Sequence, residues 1–237
     1  MILAAGKGTR MDSDIPKVMH KVNGIPMLVH VINKAKNIGA NKIITVIGYK
    51  GNLIEKELSN TDIDFVEQKE QLGTGHAVLQ CKGILSSFNG NVIILSGDVP
   101  LISNKTLKCL IDNHQKSENA ATIITADLNN PAGYGRIIRD NKGLLEKIVE
   151  HKDATENELD IHEINSGIYA FDCSILFKYL PKIQNNNNQG EYYLPDVLAE
   201  IIENKLKVGI EKTKNIPEIQ GVNTIEQLNL LNDSYAN

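Results

Sequence analysis

Apolar residues along the chain recur in two alternating rhythms. Leu28, Val31, Ile32, Ala35 and Ile38 stand three or four apart, which is one face of a helix. Pro26 opens that helix at a first-turn position and Gly39 stops it. Leu107, Leu110, Ile111 and His114 repeat the spacing behind Ser103, a capping residue. Shorter helices are predicted from Asn52 to Leu58 and through Val78, Leu79 and Leu85. Between them lie unbroken or β-branched apolar runs: Met1 to Ala4, Lys42 to Ile47, Ile63 to Glu67, and Val92 to Leu95. These predict strands, the last of the buried parallel kind. Strands that alternate with helices predict an α/β doubly wound parallel sheet, whose ligands bind beyond the carboxyl ends of its strands.

The rhythm changes after residue 120. Strands are predicted at Ala121 to Ala126, Glu163 to Phe171 and Leu206 to Glu211. Gly135 to Arg139 and Leu144 to Val149 form a hairpin around Asp140-Asn141-Lys142-Gly143. Helices are expected at Ile175 to Leu180, at Leu194 to Glu203 and from Thr224, where Gln227 completes a capping box. Gln184 to Gln189 reads as a mobile, amide-rich loop. No repeat or linker stands out, so a mixed sheet with added strands fits better than two independent domains.

Composition narrows the partners. The 237 residues can bury a sizeable core. With 41% hydrophobic and 23% charged residues the chain reads as globular, without a long apolar run or a signal peptide, and the cytoplasm is the expected compartment. A net charge of −4 implies no general polyanion-binding surface, so neither nucleic acid nor membrane is expected as a partner. Cys81, Cys109 and Cys173 are odd in number and widely spaced, which suits buried, reduced thiols better than disulfides or a metal site. His76 and His151 have no partner at metal-ligand spacing, and no Ser-His-Asp or Cys-His set is evident.

Three polar features fall at the carboxyl ends of predicted strands. The first is Leu3-Ala4-Ala5-Gly6-Lys7-Gly8-Thr9-Arg10-Met11. Its small residues let backbone N–H groups approach an anion, and Arg10 with Lys17 adds charge suited to a polyphosphate; the alternative is a tight surface turn. Met11 occupies the third glycine position of a dinucleotide fingerprint, and no P-loop is present. The second feature is Gln71-Leu72-Gly73-Thr74-Gly75-His76. The third is Ser96-Gly97-Asp98, in which Asp98 either binds Mg²⁺ or closes an Asx turn. Asn223 is a helix cap or a second metal ligand. Gln68, with Gly73 and Thr74, reads a nucleobase edge or is a plain surface amide. Glu150, Asn165 and Gly135 either hold a sugar or serve as solvated charge, turn and bend.

At these residues the chain resembles a known family. Leu3 to Met11, Pro16-Lys17-Val18, Glu70 to Ala77, Gly97 to Ile102, Gly133 to Ile137, Ile148 to Thr155, Glu163 to Gly167, Gln189 to Tyr193 and Gly221-Val222-Asn223 are similar to the uridylyltransferase part of the bacterial bifunctional N-acetylglucosamine-1-phosphate uridyltransferase/glucosamine-1-phosphate acetyltransferase family. The first loop alone marks only sugar nucleotidyltransferases in general; Val149-Glu150-His151-Lys152 together with Gly190-Glu191-Tyr192-Tyr193 is more specific.

The resemblance implies a Rossmann-like, GT-A-like nucleotidyltransferase fold with a central, mostly parallel mixed sheet. It implies one domain over 1–237, with a nucleotide-binding half at 1–120 and a sugar-binding half at 121–237. Leu3, Ala4, Ala5 and Gly6 would line the nucleotide. Arg10 and Lys17 would be the catalytic cations on its phosphates. Gln68, Gly73 and Thr74 would contact uracil, with Ser96 and Gly97 alongside. Asp98 and Asn223 would ligate Mg²⁺. Gly135, Glu150 and Asn165 would grip N-acetylglucosamine. The implied substrates are UTP and N-acetylglucosamine 1-phosphate, and the products are pyrophosphate and UDP-N-acetylglucosamine, a precursor of peptidoglycan and lipopolysaccharide. The alternatives are another sugar-1-phosphate nucleotidyltransferase or a non-catalytic nucleotide-sugar-binding module.

Two departures stand out. Relatives often carry Tyr where this chain has Ser96, and they carry several more residues before the first strand. A trimmed chain or a misassigned start would explain the second. The hexapeptide-repeat acetyltransferase part, a β-helix, has no counterpart here, so no acetyl transfer is expected. The oligomeric state is left open, since trimers in the family are held largely by that part.

Overall fold

The computed structural model describes residues 1–236. Its first part runs β1 (Ile2–Ala4), a two-stranded ribbon of β2 (Lys21–Val22) and β3 (Ile25–Pro26), α1 (Met27–Asn37), β4 (Ile44–Ile47), α2 (Gly51–Glu57), β5 (Asp64–Glu67), α3 (Thr74–Leu79), β6 (Asn91–Ser96) and α4 (Asn104–Lys116). There follow β7 (Ala121–Asp127), β8 (Arg136–Arg139), β9 (Leu145–Val149), α5 (Glu156–Leu159) and β10 (Glu163–Asp172). The chain continues with α6 (Cys173–Tyr179), α7 (Asp196–Glu203), β11 (Val208–Lys212) and α8 (Ile225–Ala236).

The main sheet has the order β11-β7-β10-β6-β1-β4-β5, with the β8–β9 hairpin branching from β10. The pairs β4–β5, β1–β4, β1–β6 and β11–β7 are parallel. β10 is antiparallel to both β6 and β7, so it alone on that path runs against the others. The expected parallel sheet is therefore mixed, as the added strands suggested.

Side chains alternate across the sheet, and helices cover both faces. Val46, Ile94 and Ile123 point to a core that includes Val78 of α3, Leu176 of α6 and Val197 of α7. Their neighbours Ile47, Leu95 and Ile124 point the other way, to Leu28 and Val31 of α1, Ile54 of α2 and Leu107 of α4. This period of two along strands and three to four along helices fixes which face each element buries.

Element limits differ from the sequence reading for local reasons. Pro26 pairs with Lys21 in the ribbon, so α1 starts one residue later; Gly39, at φ +84°, follows the cap Ile38. Asp172 caps α6 by accepting from the Ile175 amide at 2.9 Å, which starts that helix at Cys173. α7 begins only after Pro195, and α3 tightens into a single 3₁₀ turn at Gln80–Lys82. Ser103 caps α4 as expected, accepting from the Thr106 amide at 3.1 Å. The amide-rich loop is tied down rather than free: Asn187 donates to the Glu191 carbonyl at 2.6 Å, Asn188 to that of Lys152 at 2.7 Å, and Gln189 to the Tyr193 hydroxyl at 2.7 Å.

Candidate active site

The loops that follow β1, β4, β5 and β6 leave the same edge of the sheet, because those strands are parallel. Ala4 and Ala5 bury their methyl groups, so what the first loop offers outward is backbone. The space beside Gly6 is open. Gly8 has φ +60°, and a Cβ there would lie 2.5 Å from Lys17 Cβ. The absent side chain lets the stem of Lys17 lie directly on the loop and fixes where its ammonium group emerges.

That ammonium joins two distant segments. Lys17 Nζ pairs with Asp98 Oδ2 and donates to Asn223 Oδ1 at 3.0 Å. Arg10 donates to the same Asn223 oxygen at 2.9 Å. Residues from β1's loop, from the end of β6 and from just before α8 thus meet at one point. The side chains of Lys17 and Asp98 are only 16% and 18% exposed, so water screens this meeting of charges weakly. The capping alternative for Asn223 falls to its neighbour: Thr224 Oγ1 accepts from the Gln227 amide at 3.2 Å and Gln227 Oε1 from the Thr224 amide at 3.2 Å. Asn223 is left to face the cations.

Beyond β5, Gln68 is buried and donates from Nε2 to the Gly73 carbonyl at 3.0 Å. Gly73 has φ +104°, and a Cβ on it would lie 2.6 Å from the Tyr192 carbonyl oxygen. The second glycine loop docks there on the chain before α7. Gly75 N–H donates to Tyr192 O and Tyr192 N–H to Leu72 O, each at 2.8 Å, while Thr74 Oγ1 accepts from the Leu194 amide at 3.0 Å. The Thr74 hydroxyl is therefore engaged in holding this seam.

A cavity of about 180 Å³ opens beside it, lined by Leu3, Thr74, Ser96, Gly135, Glu150 and Asn165, all expected site residues, and also by Tyr134 and Tyr169. Asn165 is locked in orientation. Its Oδ1 accepts from the Gly167 amide at 2.8 Å and the Tyr169 hydroxyl at 3.0 Å, and its Nδ2 donates to that hydroxyl at 2.7 Å. Gly135 allows Glu150 in: a Cβ would sit 3.1 Å from Glu150 Oε1. Burial, then the carboxylates of Asp196, Asp153 and Glu191, pushes the Glu150 carboxyl up to about 7. Burial and Asp153 raise Asp196 to about 6. The phenol of Tyr169 is raised by burial.

Residues 1–215 match the family model described as nucleotidyl transferase. The chain belongs to the nucleotidyl transferase family. It is 51% identical over 223 residues to the bifunctional protein GlmU of Streptococcus gordonii, which covers 94% of this chain and 48% of that protein. The GlmU of Bacillus thuringiensis is 47% identical over 224 residues, with the same coverage. The chain thus spans about half the length of the curated relatives it matches. Among solved structures, a UDP-glucose pyrophosphorylase complexed with UDP-glucose superposes with TM-score 0.78 at 19% identity, covering 99% of this chain and 97% of that one. A putative glucose-1-phosphate thymidylyltransferase from Bacillus anthracis gives 0.76 at 17%, covering 98% and 93%. These two share the fold.

Several residues of this nucleotidyl transferase that shape the site escaped the sequence reading. Arg136 is 2% exposed and has no carboxylate partner among the described residues; it donates to the Pro131 carbonyl at 2.8 Å and to that of Tyr134, holding the loop that carries Gly135. Tyr134 lies by the Gly221 backbone, next to Asp98 and Asn223, and burial raises its phenol. Asp153 and Asp196 act on Glu150 from outside the cavity. Only the Gly-Tyr-Gly-Arg run carried a hint of the first two, and nothing local marked the others.

Proposed function

We propose that the chain is an N-acetylglucosamine-1-phosphate uridylyltransferase, joining UTP and N-acetylglucosamine 1-phosphate into UDP-N-acetylglucosamine with release of pyrophosphate. The observation that carries this reading is the convergence of Arg10, Lys17, Asp98 and Asn223 beside a bare-backbone loop. The roughly 50% identity to GlmU proteins supports the choice of base and sugar.

In the proposed reaction a phosphate oxygen of the sugar substrate attacks the α-phosphorus of UTP in line. One P–O bond forms, and the bond to pyrophosphate breaks. A phosphate monoester at neutral pH is already a competent nucleophile, so the chain's task is to position substrates and neutralise charge. Lys17 holds the α-phosphate, and Arg10 steadies the departing pyrophosphate. The amides of the first loop approach the triphosphate from the other side. Gln68 and the Gly73 backbone read uracil, while Glu150 and Asn165 receive the sugar.

The donor chemistry fits a divalent ion. Asp98 Oδ2 and Asn223 Oδ1 are hard oxygens that both turn to the single ammonium of Lys17. Among the described residues no cluster of three or more His, Cys, Asp or Glu could hold a metal. Two protein oxygens completed by phosphate and water suit Mg²⁺. When bound, the ion supplies charge neutralisation to the phosphate oxygens. No helix among the described residues is long and apolar enough to cross a membrane.

The test is a panel of nucleoside triphosphates and sugar 1-phosphates scored by pyrophosphate release, with and without Mg²⁺. UTP with N-acetylglucosamine 1-phosphate should be the preferred pair. A different preferred pair would keep the enzyme class and refute the substrates; binding of UDP-sugar with no release from any pair would refute catalysis.

A pH dependence follows from Glu150. Its raised value means that the neutral acid predominates below about 7 and the carboxylate above it. A carboxylate accepts hydroxyl hydrogen bonds better, so KM for the sugar phosphate should fall as pH rises from 6 to 8. Glu150→Gln should flatten that profile beyond the ionisation of the substrate itself. Asp196→Asn should move its midpoint down. The linkage to folding has the opposite sense. The folded chain keeps a proton there that the unfolded chain releases, so this group favours folding most below its ordinary 4.5, and that contribution is lost as pH rises through about 7.

A further inference from the structure

The His76 ring lies between two carboxamides. Gln68 Nε2 is 3.1 Å from His76 Nδ1, and Gln80 Nε2 is 3.0 Å from His76 Nε2. Each of those amide nitrogens also points at a backbone carbonyl, Gln68 at Gly73 O and Gln80 at His76 O, both at 3.0 Å. A carbonyl only accepts, so both carboxamides must present NH₂ there. A neutral imidazole has one lone pair and one N–H, and so can accept from only one of them. The trio is one acceptor short.

Burial decides which contact is kept. Gln68 is 3% exposed, while His76 and Gln80 are half-buried. A buried N–H without a partner costs more than one that water reaches. The lone pair therefore belongs on Nδ1, facing Gln68, and the ring proton on Nε2, where half-buried Gln80 can keep its N–H on the His76 carbonyl and shift off the ring toward solvent.

We infer that His76 is a positioning residue that sets the base preference of the site through Gln68. With one amide hydrogen on Gly73 O and the other on His76 Nδ1, both donors of Gln68 are committed. The part left for a ligand is Oε1, an acceptor. Uracil offers N3–H, a donor, to such an atom. Cytosine offers a lone pair at N3 and is repelled. Without the acceptor at Nδ1 only the Gly73 carbonyl still opposes a turn of the Gln68 carboxamide that would present NH₂, which cytosine accepts. The inference rests on the proposed contact between Gln68 and the nucleobase.

The experiment compares kcat/KM for UTP and CTP, with N-acetylglucosamine 1-phosphate as co-substrate, across variants checked for folding by circular dichroism. His76→Leu should shrink the preference for UTP by about tenfold or more, the cost of a mispaired buried group. The change should come through KM for the nucleotide rather than kcat. His76→Asn, whose amide reaches the region of Nδ1, should restore much of the preference. His76→Gln, which reaches toward Nε2, should not. Gln80→Leu should leave the preference unchanged. A folded His76→Leu that keeps the full preference overturns the inference, as does Gln80→Leu lowering it equally. Gln68→Leu separates the two levels. If it keeps the preference, Gln68 does not read the base and both readings fall. If it loses the preference while His76→Leu does not, only the inference falls. Should His76→Leu not fold, the ring nitrogen shifts of the unaltered chain decide: the Nε2–H tautomer at His76 is expected, and Nδ1–H overturns the proposal.

Discussion

Asp98→Asn is expected to lower divalent-supported turnover by about 10³, because a lost contribution of several kcal/mol to charge neutralisation corresponds to about three decades of rate. The substitution keeps size and removes charge. Asp98 Oδ2 meets Lys17 Nζ, and its backbone carbonyl accepts from the Val222 amide at 2.9 Å, so the main-chain tie to the segment before α8 survives. A second readout separates binding from chemistry. Mn²⁺ binding in the presence of UTP, followed by electron paramagnetic resonance, should weaken sharply. UTP binding without any divalent ion should hold or improve, because a negative charge beside the triphosphate has gone. A variant that keeps normal metal-dependent turnover and Mn²⁺ affinity would refute the ligand assignment.

Lys17→Ala should slow pyrophosphate release by about 10²–10³ at saturating substrates, the usual cost of one preorganised donor to developing charge. The fold should persist, since the Lys17 stem lies on Gly8 and its ammonium meets Asp98 and Asn223 rather than filling a core position. Some stability should go, because the weakly exposed Asp98 carboxylate loses its ammonium partner. Lys17→Arg should not rescue: the guanidinium is longer, planar and differently hydrated, and Gly8 fixes the path of the stem. Single-turnover kinetics with circular dichroism checks both halves. Near-full turnover in a folded Lys17→Ala would remove that residue from the mechanism.

The sequence made the site's composition more legible than its architecture. Arg10, Lys17, Asp98 and Asn223 were each ambiguous in place, yet four ambiguous residues at loop positions pointed to one chemistry, and the fold brings them together. Caps at Ser103 and Thr224 were readable because they depend on residues three apart. The reversal of β10 was not readable. An apolar strand buried on both faces has the same composition in either direction, and only its neighbours distinguish them. The contacts of His76, Tyr169 and Arg136 were hidden for another reason: each is made to a side chain or loop that folding sets in place. In sequence Tyr169 is one more strand residue; in the fold its hydroxyl donates to Asn165 Oδ1 at 3.0 Å. The ties within the amide-rich loop were not readable because composition counts polar groups without saying whether each finds a partner.

β10 also has a consequence for how the chain is born. It is made after β6 and β7 but must slide between them, so both strands leave the ribosome with bare flanks. Until residue 172 has emerged, two apolar ribbons wait for a middle strand that does not yet exist. Nascent chains stalled in that interval offer ready templates for one another, and this is the stage at which a chaperone would matter most.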